Sequence, residues 1–341
     1  MANITASWIQ VNPSYVMPEI LMQYQQASGA FETLAGSNPM ARLGSGDLYA
    51  YIKSFDIRTQ LSAANAAANA LPSVTVNAKM ISTPSYLLRV RAEYDHHDTS
   101  AFSNWGASIV DAQRLGMRQG IFQGMRDGLL YGFNPVNGEG LLNTQGATTV
   151  NLPADSNGNT TLLTYDNGQL AQFLLGQIQS IKTRTMQMGR MSRMVILGPQ
   201  RILGPMEYQN IVQLTQFQRA GAGTLPTAGV VKDILELNGD EIDWVYDDTL
   251  IGKGAGGTDA VVINMPEIQV PEANPTVNTN EFAHLAPGLR ATAIQLCDMV
   301  APREIPTPLP GGAIDVVSEL RATSGWAVRP EAVTIVSIQY S

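Results

Sequence analysis

Residues 85–133 read SYLLRVRAEYDHHDTSAFSNWGASIVDAQRLGMRQGIFQGMRDGLLYGF, and within this one stretch the hydrophobic period changes from two to that of a helix. Tyr86, Leu88, Val90, Ala92 and Tyr94 alternate with Arg89, Arg91, Glu93 and Asp95, the pattern of a strand with one buried face. Beyond His96, His97 and Asp98, the residues Phe102, Trp105, Ile109 and Ala112 share one helical face, and Phe122, Met125, Leu129 and Phe133 continue it. Thr99 or Ser100 is the expected N-cap of this long helix. Glycines recur along it at every fourth position, Gly116, Gly120, Gly124, Gly128 and Gly132. Each costs about 1 kcal/mol of helix propensity relative to alanine, so a compensating close approach by another backbone is expected. Asp111, Arg114, Arg118, Arg126 and Asp127 exclude a membrane span as the reason for the spacing.

Toward the N-terminus the period of two persists. Tyr49, Tyr51, Phe55, Ile57 and Leu61 alternate with Ser54, Asp56, Arg58 and Gln60, and the pattern resumes at Val74, Val76, Ala78 and Met80. The alanine and asparagine tract at 63–70, closed by Leu71-Pro72, separates the two runs. Together they predict a long two-stranded excursion with a low-complexity tip. An isolated hairpin in water is marginal, so it is expected to lie on another surface. Residues 1–46, broken by Pro13, Pro18, Pro39 and GSG at 44–46, read as an arm without a core of its own.

Toward the C-terminus, Asn134-Pro135 ends the helix and a turn-rich stretch, VNGEGLLNTQG at 136–146, follows. A second helix is predicted over 167–188, with Asp166 as its cap and Leu170, Leu174, Ile178, Ile181 and Thr185 as its stripe. A buried strand at 194–197 turns at Gly198-Pro199 into a short helix near Gln200, and strands at 242–246 and 260–263 make the region mixed. Residues 264–312 are proline-rich, with Pro302, Pro306, Pro308 and Pro310, and read as connecting chain with one strand near 289–298. Two strands, 314–320 and 332–340, close the sequence, the second expected to complete a sheet begun far earlier.

Composition narrows the class of function. Charged residues are 15% of 341, against roughly 25% in ordinary soluble domains, while 22 Gln and 20 Asn nearly match them in number. Only five of 21 basic residues are Lys, the residue depleted at the centres of protein interfaces, which tilts an amide-rich surface toward burial between subunits. A net charge of −8 argues against a protein whose main task is to grip nucleic acid. The single Cys297 excludes an internal disulfide and fits a reducing compartment. The opening MANITASWIQVNPSYV has no signal-peptide pattern and no stretch is apolar enough to span a bilayer, so synthesis in a cytoplasm is expected.

The material for catalysis is thin. GKGAGG at 252–257 lacks phosphate-loop spacing and reads as a flexible loop. Glu93, Asp95, His96, His97 and Asp98 form the one dense set of metal-ligand types, but neighbours on a strand face opposite ways, so a polar turn is the favoured reading. His284 has no Ser or Cys partner at a motif spacing, and Asp247-Asp248 read as solvated acids of a turn. No catalytic, cofactor-binding or metal residues are assigned and no cofactor is expected. The alternative from another class, a metal-dependent hydrolase, would use His96, His97 and Asp98.

Three short motifs, in order, point to a family. GLLNTQG at 140–146, MVILGPQ at 194–200 and AVRPEAVTIV at 327–336 resemble the GLLN-type turn, the buried strand ending in a Gly-Pro turn, and the RRPxA-type closing strand of Hong Kong 97-type major capsid proteins. That fold is shared by tailed bacteriophages and bacterial encapsulins. The resemblance implies an α+β chain with an N-terminal arm at 1–46, an extended E-loop at 47–97, a peripheral domain with a long spine helix at 98–149, an axial domain at 150–312, and return strands of the peripheral domain at 313–341. It implies a structural protein that self-assembles, as pentamers and hexamers, into an icosahedral head enclosing phage double-stranded DNA. Scaffolding, portal and decoration proteins would be separate partners, the place would be the virion, and the host cytoplasm the site of assembly. An encapsulin-like compartment is the rival within this architecture, and a phage tail or adhesin component a further one. Some relatives cross-link an E-loop Lys to a neighbour's Asn with help from a Glu. Here Lys53, Lys79 and Glu319 are present, but no Asn follows Asn280, so an uncross-linked shell is expected; an Asn elsewhere, such as Asn143, would lack the matched surroundings of an acceptor.

Overall fold

The computed structural model describes residues 43–44, 46–59, 74–104, 108–185, 192–208, 227–237, 239–266, 295–298, 302–327 and 329–341. The N-terminal arm up to residue 42, the tract at 63–70, Trp105 and His284 lie outside them. In chain order come strands β1 (Tyr49–Thr59) and β2 (Val74–Tyr94), helices α1 (His96–Ser103) and α2 (Ile109–Leu130), strand β3 (Thr148–Asn151) and helix α3 (Asn167–Arg184). Strand β4 (Arg193–Gly198) and helices α4 (Gln200–Tyr208) and α5 (Thr227–Leu237) follow. Strands β5 (Glu241–Tyr246), β6 (Asp259–Asn264), β7 (Arg303–Pro308), β8 (Ile314–Thr323) and β9 (Val333–Ile338) complete the set.

Two sheets result. One is antiparallel in the order β1-β2-β8-β7 and the other is mixed, in the order β3-β9-β6-β4-β5. The five-stranded sheet is buried on both faces, which is why its strands read as unbroken apolar runs such as MVIL at 194–197 and AVVI at 260–263. On one face Met194, Ile196, Val261, Ile263, Val336 and Ile338 meet the α3 stripe of Leu170, Leu174, Ile178 and Ile181. On the other, Val195, Leu197, Val262, Val333 and Ile335 meet Leu129 and Leu130 from the end of α2, together with Leu141.

Helix α2 therefore serves two cores. Its middle residues Ile121 and Met125 pack with Leu88 and Val90 of β2 and with Leu320 and Ala322 of β8, while its last turn belongs to the five-stranded sheet. At 22 residues it spans about 33 Å, enough to bridge both sheets as one rod. Asp166 caps α3 as the sequence predicts, accepting from the Gln169 amide at 2.9 Å.

Several expectations are corrected. The predicted single helix beyond Asp98 is two, α1 and α2. Neither Thr99 nor Ser100 caps them. Asp95 caps α1, accepting from the Asp98 amide while the Asp98 carboxylate accepts from the Asp95 amide, and Ser108 caps α2. An acid just before the histidines thus starts the helix earlier than the hydroxyl residues would. β2 is one strand of 21 residues, because positions 74 to 94 keep one phase through Pro84. Strand β7 lies inside the stretch read as connecting chain. Pro306 and Pro308 hid it, yet an edge strand tolerates prolines because one side of its backbone needs no partner. Residues 313–341, kept together in the sequence reading, divide between sheets, with β8 beside β2 and β9 between β3 and β6.

The glycine series of α2 is graded along its length, with no single groove for a neighbouring backbone. A methyl group at Gly116 would meet nothing, at Gly120 and Gly124 it would make ordinary contact with Val90 and Leu88 side chains, and at Gly128 it would lie 2.4 Å from the Phe133 ring. Phe133, expected on the helix face, sits past the helix end and folds back under Gly128. Gly116→Ala is expected to raise the stability of free subunits by up to about 1 kcal/mol. Gly128→Ala is expected to lower it by about 1–3 kcal/mol, as the ring is displaced. Melting curves of the two variants should move in opposite directions, and a shared direction would show that the ring does not set the need for glycine.

Candidate assembly surfaces

Among the described residues the β1–β2 hairpin is paired, beyond its root, only to itself. Residues 85–94 of β2 bond to β8, whereas 74–84 bond to β1 alone, so the strand changes partner between Pro84 and Ser85. Paired residues share a face, which places Tyr49 and Tyr51 with Met80 on one side of the hairpin. These three are 56%, 63% and 60% exposed, and Leu48 is 64% exposed beside them. Large apolar groups grouped on a rigid two-stranded ladder are the mark of an interaction surface. The root itself is anchored by Leu43 and Ala50, which pack with Leu296 and Trp326, and by a backbone bond from Leu43 to the Cys297 carbonyl.

Each motif singled out in the sequence builds a junction. In GLLN, Gly140 donates to the Gly325 carbonyl at 2.8 Å, Leu141 is fully buried, and the Asn143 amide donates to the carbonyls of Tyr131 and Glu139. Gly325 in turn donates to the Gly128 carbonyl, so the end of α2, the GLLN turn and the chain after β8 interlock. In LGPQ, Asp248, just past the neighbouring strand β5, accepts from the Gln200 amide at the start of α4. In the closing motif Pro330 lies against Gly146, and Ala332 is buried.

Glu139, which drew no notice in the sequence, is a buried acid at the meeting point of these elements. Its carboxylate accepts from the Tyr86 hydroxyl at 3.0 and 3.1 Å, from the Asn134 amide at 3.1 Å and from the Ser324 hydroxyl at 2.5 Å. Burial, and then this acceptor, push the Tyr86 hydroxyl up to about 12. A lone Glu between two glycines carries no periodic signal, so only the fold reveals it.

Ion pairs lace the four-stranded sheet. Glu319 on β8 bridges Arg89 on β2 and Arg303 on β7, Asp315 pairs with Arg91, and Glu304 on β7 holds Arg114 and Arg118 of α2. Most of the cations are half exposed, so each pair is worth little alone and the ladder chiefly fixes which strands neighbour which.

The residues weighed for chemistry fall into structural roles. His96 and His97 lie in the first turn of α1, not at the end of a strand, and their rings meet at a 40° tilt with centroids 3.9 Å apart. The two carboxylates beside them, Asp95 and Asp98, are engaged in reciprocal capping. Asp247 is buried and accepts from both the Thr249 amide and hydroxyl. The GKGAGG stretch is a braced turn, with the Gly252 amide on Asp259 and the Ala255 amide on the Ser337 hydroxyl. Burial raises the Cys297 thiol to about 12, which removes it as a nucleophile near neutral pH. Among the described residues no three His, Cys, Asp or Glu side chains are grouped to hold a metal, and no helix is long and apolar enough to cross a membrane.

Solved structures with the same fold cover nearly the whole chain. The capsid of Myoviridae phage XM1 superposes with a TM-score of 0.65 at 10% identity, over 95% of this chain and 96% of that one. The capsid of an empty GTA particle gives 0.57 at 10% identity, over 96% and 95%. That of cyanophage P-SCSP1u gives 0.51 at 11% identity, over 96% and 93%. No curated protein sequence matches. The family model described as major capsid protein matches residues 61–265, more than half of the chain, and the chain therefore belongs to the major capsid protein family.

Proposed function

We propose that this capsid protein builds an icosahedral phage head of pentamers and hexamers around double-stranded DNA, assembled in the host cytoplasm with separate scaffolding, portal and decoration proteins. The carrying observation is the β1–β2 hairpin, a two-stranded ladder bearing exposed Tyr49, Tyr51 and Met80, which among the described residues pairs with no other strand beyond Pro84. A second copy of the chain is the partner in this reading. The domain division is proposed as an arm, the E-loop hairpin, a peripheral unit of α2 with the four-stranded sheet, and an axial unit around the five-stranded sheet. The protein acts without catalysis. A net charge of −8 suits a wall that confines DNA by enclosure and does not bind it tightly.

The shell is proposed to hold without covalent links. Asn143, the substitute acceptor, has its amide committed to two carbonyls, and Glu319 is committed to Arg89 and Arg303. Purified protein viewed in negative stain should show closed shells, and the same particles boiled in detergent should give one band near 36.7 kDa. Monodisperse monomers under all assembly conditions would overturn the shell reading, and a ladder of higher bands would overturn the uncross-linked one.

A further inference from the structure

The place where β2 changes partner is also the place where it is clamped from both faces. On one face Tyr86 donates to the buried Glu139 carboxylate, which also holds the Ser324 hydroxyl just after β8 and the Asn134 amide just after α2. Ser324 extends the network by accepting from the Phe133 amide at 3.0 Å, and the Phe133 ring lies 5.0 Å from that of Tyr86. On the other face the Ser85 hydroxyl donates to the Asp47 carbonyl, and Arg321 donates to both. The second clamp is largely open to water, which competes for its bonds, whereas the first is part-buried and centres on the buried Glu139 and Ser324. Among the described residues no cation neutralises Glu139, so its charge is held by hydrogen bonds from three segments alone.

We propose that Glu139 is a positioning residue that fixes the angle at which the hairpin leaves the body, with Tyr86 as the part of the hairpin strand it grips. This rests on the reading of the hairpin as the arm that reaches a neighbouring subunit. The eleven rungs between residues 49–59 and 74–84 extend about 36 Å from the root. A swing of about 10° at the root moves the far end of such a ladder by about 6 Å, more than a close-packed interface tolerates. Angle at Tyr86 thus becomes position at the neighbour.

The test uses full-length free subunits carrying nitroxide labels at Met80→Cys on the hairpin and Leu163→Cys on the body, both exposed, with buried Cys297 left in place. Pulsed dipolar spectroscopy of the parent pair should give one narrow distance distribution. Tyr86→Phe and Glu139→Gln should each at least double its width. Tyr131→Phe, which removes a comparable part-buried bond to Thr249, should leave it narrow while lowering the melting temperature about as much as Tyr86→Phe does. Should Glu139→Gln fail to fold, Tyr86→Phe decides, since it deletes one oxygen. Unchanged widths in the Tyr86 and Glu139 variants, or equal broadening in Tyr131→Phe, would overturn the proposal. Because the distances are read in dissociated subunits, the outcome is independent of whether shells form.

Discussion

Gly140→Ala is expected to destabilise the free subunit by about 2–6 kcal/mol, a large share of the roughly 5–15 kcal/mol that holds a domain folded. Two separate costs add. Gly140 has φ 93° and ψ 150°, a region open essentially to glycine alone, and forcing another residue there costs about 1–3 kcal/mol. Its added methyl would also lie 2.3 Å from the Tyr131 carbonyl carbon and 2.4 Å from the Gly132 nitrogen, atoms of backbone that cannot swing aside, for about 1–3 kcal/mol more. Gly158→Ala is the comparator, because its φ is also positive at 85° but nothing lies near the new methyl. Urea denaturation followed by circular dichroism should place the Gly140 variant well below the Gly158 variant in midpoint. Equal midpoints would show that the interlock at the end of α2 yields to a methyl group without cost.

A loss of similar size is expected inside the five-stranded unit. Lys182 on α3 pairs with Asp240, and the Asp240 side chain is 1% exposed, its other oxygen accepting from the Ser192 amide and hydroxyl. Lys182→Met leaves the carboxylate buried without its cation, which costs on the order of 3–5 kcal/mol. Adding Asp240→Asn removes the stranded charge and keeps an oxygen for Ser192, so the double variant should recover much of the loss. A double variant no more stable than Lys182→Met alone, by the same denaturation, would mean that the charge is not the source of the cost.

How much of this was legible depended on whether a residue's role was local or remote. The α3 stripe and its Asp166 cap, the buried strand at 194–197 and the alternation of β1 and β2 could be read directly, because burial imposes a period on neighbouring residues. Strand β7 was hidden because among the described residues it pairs with β8 alone, and an edge strand admits the prolines that argue against a strand elsewhere. The glycines of α2 were visible as a series, but what each one accommodates, from open space at Gly116 to an aromatic ring at Gly128, depends on side chains brought in by the fold. Motif order gave the family and so the assembly role. Glu139 remained unread because its side-chain partners lie 53 and 185 residues away, a separation that no spacing rule covers.

The pairing of β2 with β8 also sets the order of events in folding. Arg89 and Glu319, partners in that ladder, are 230 residues apart, and such long-range pairings close late because the loop between them must first surrender its entropy. The hairpin and α1, by contrast, are made of local contacts available as soon as those residues exist. By themselves these local contacts are marginal in water, so the arm is expected to hold its shape only once its root has paired with β8. The direction in which the arm leaves the body is therefore set only with residues 314–323, when most of the chain is already present.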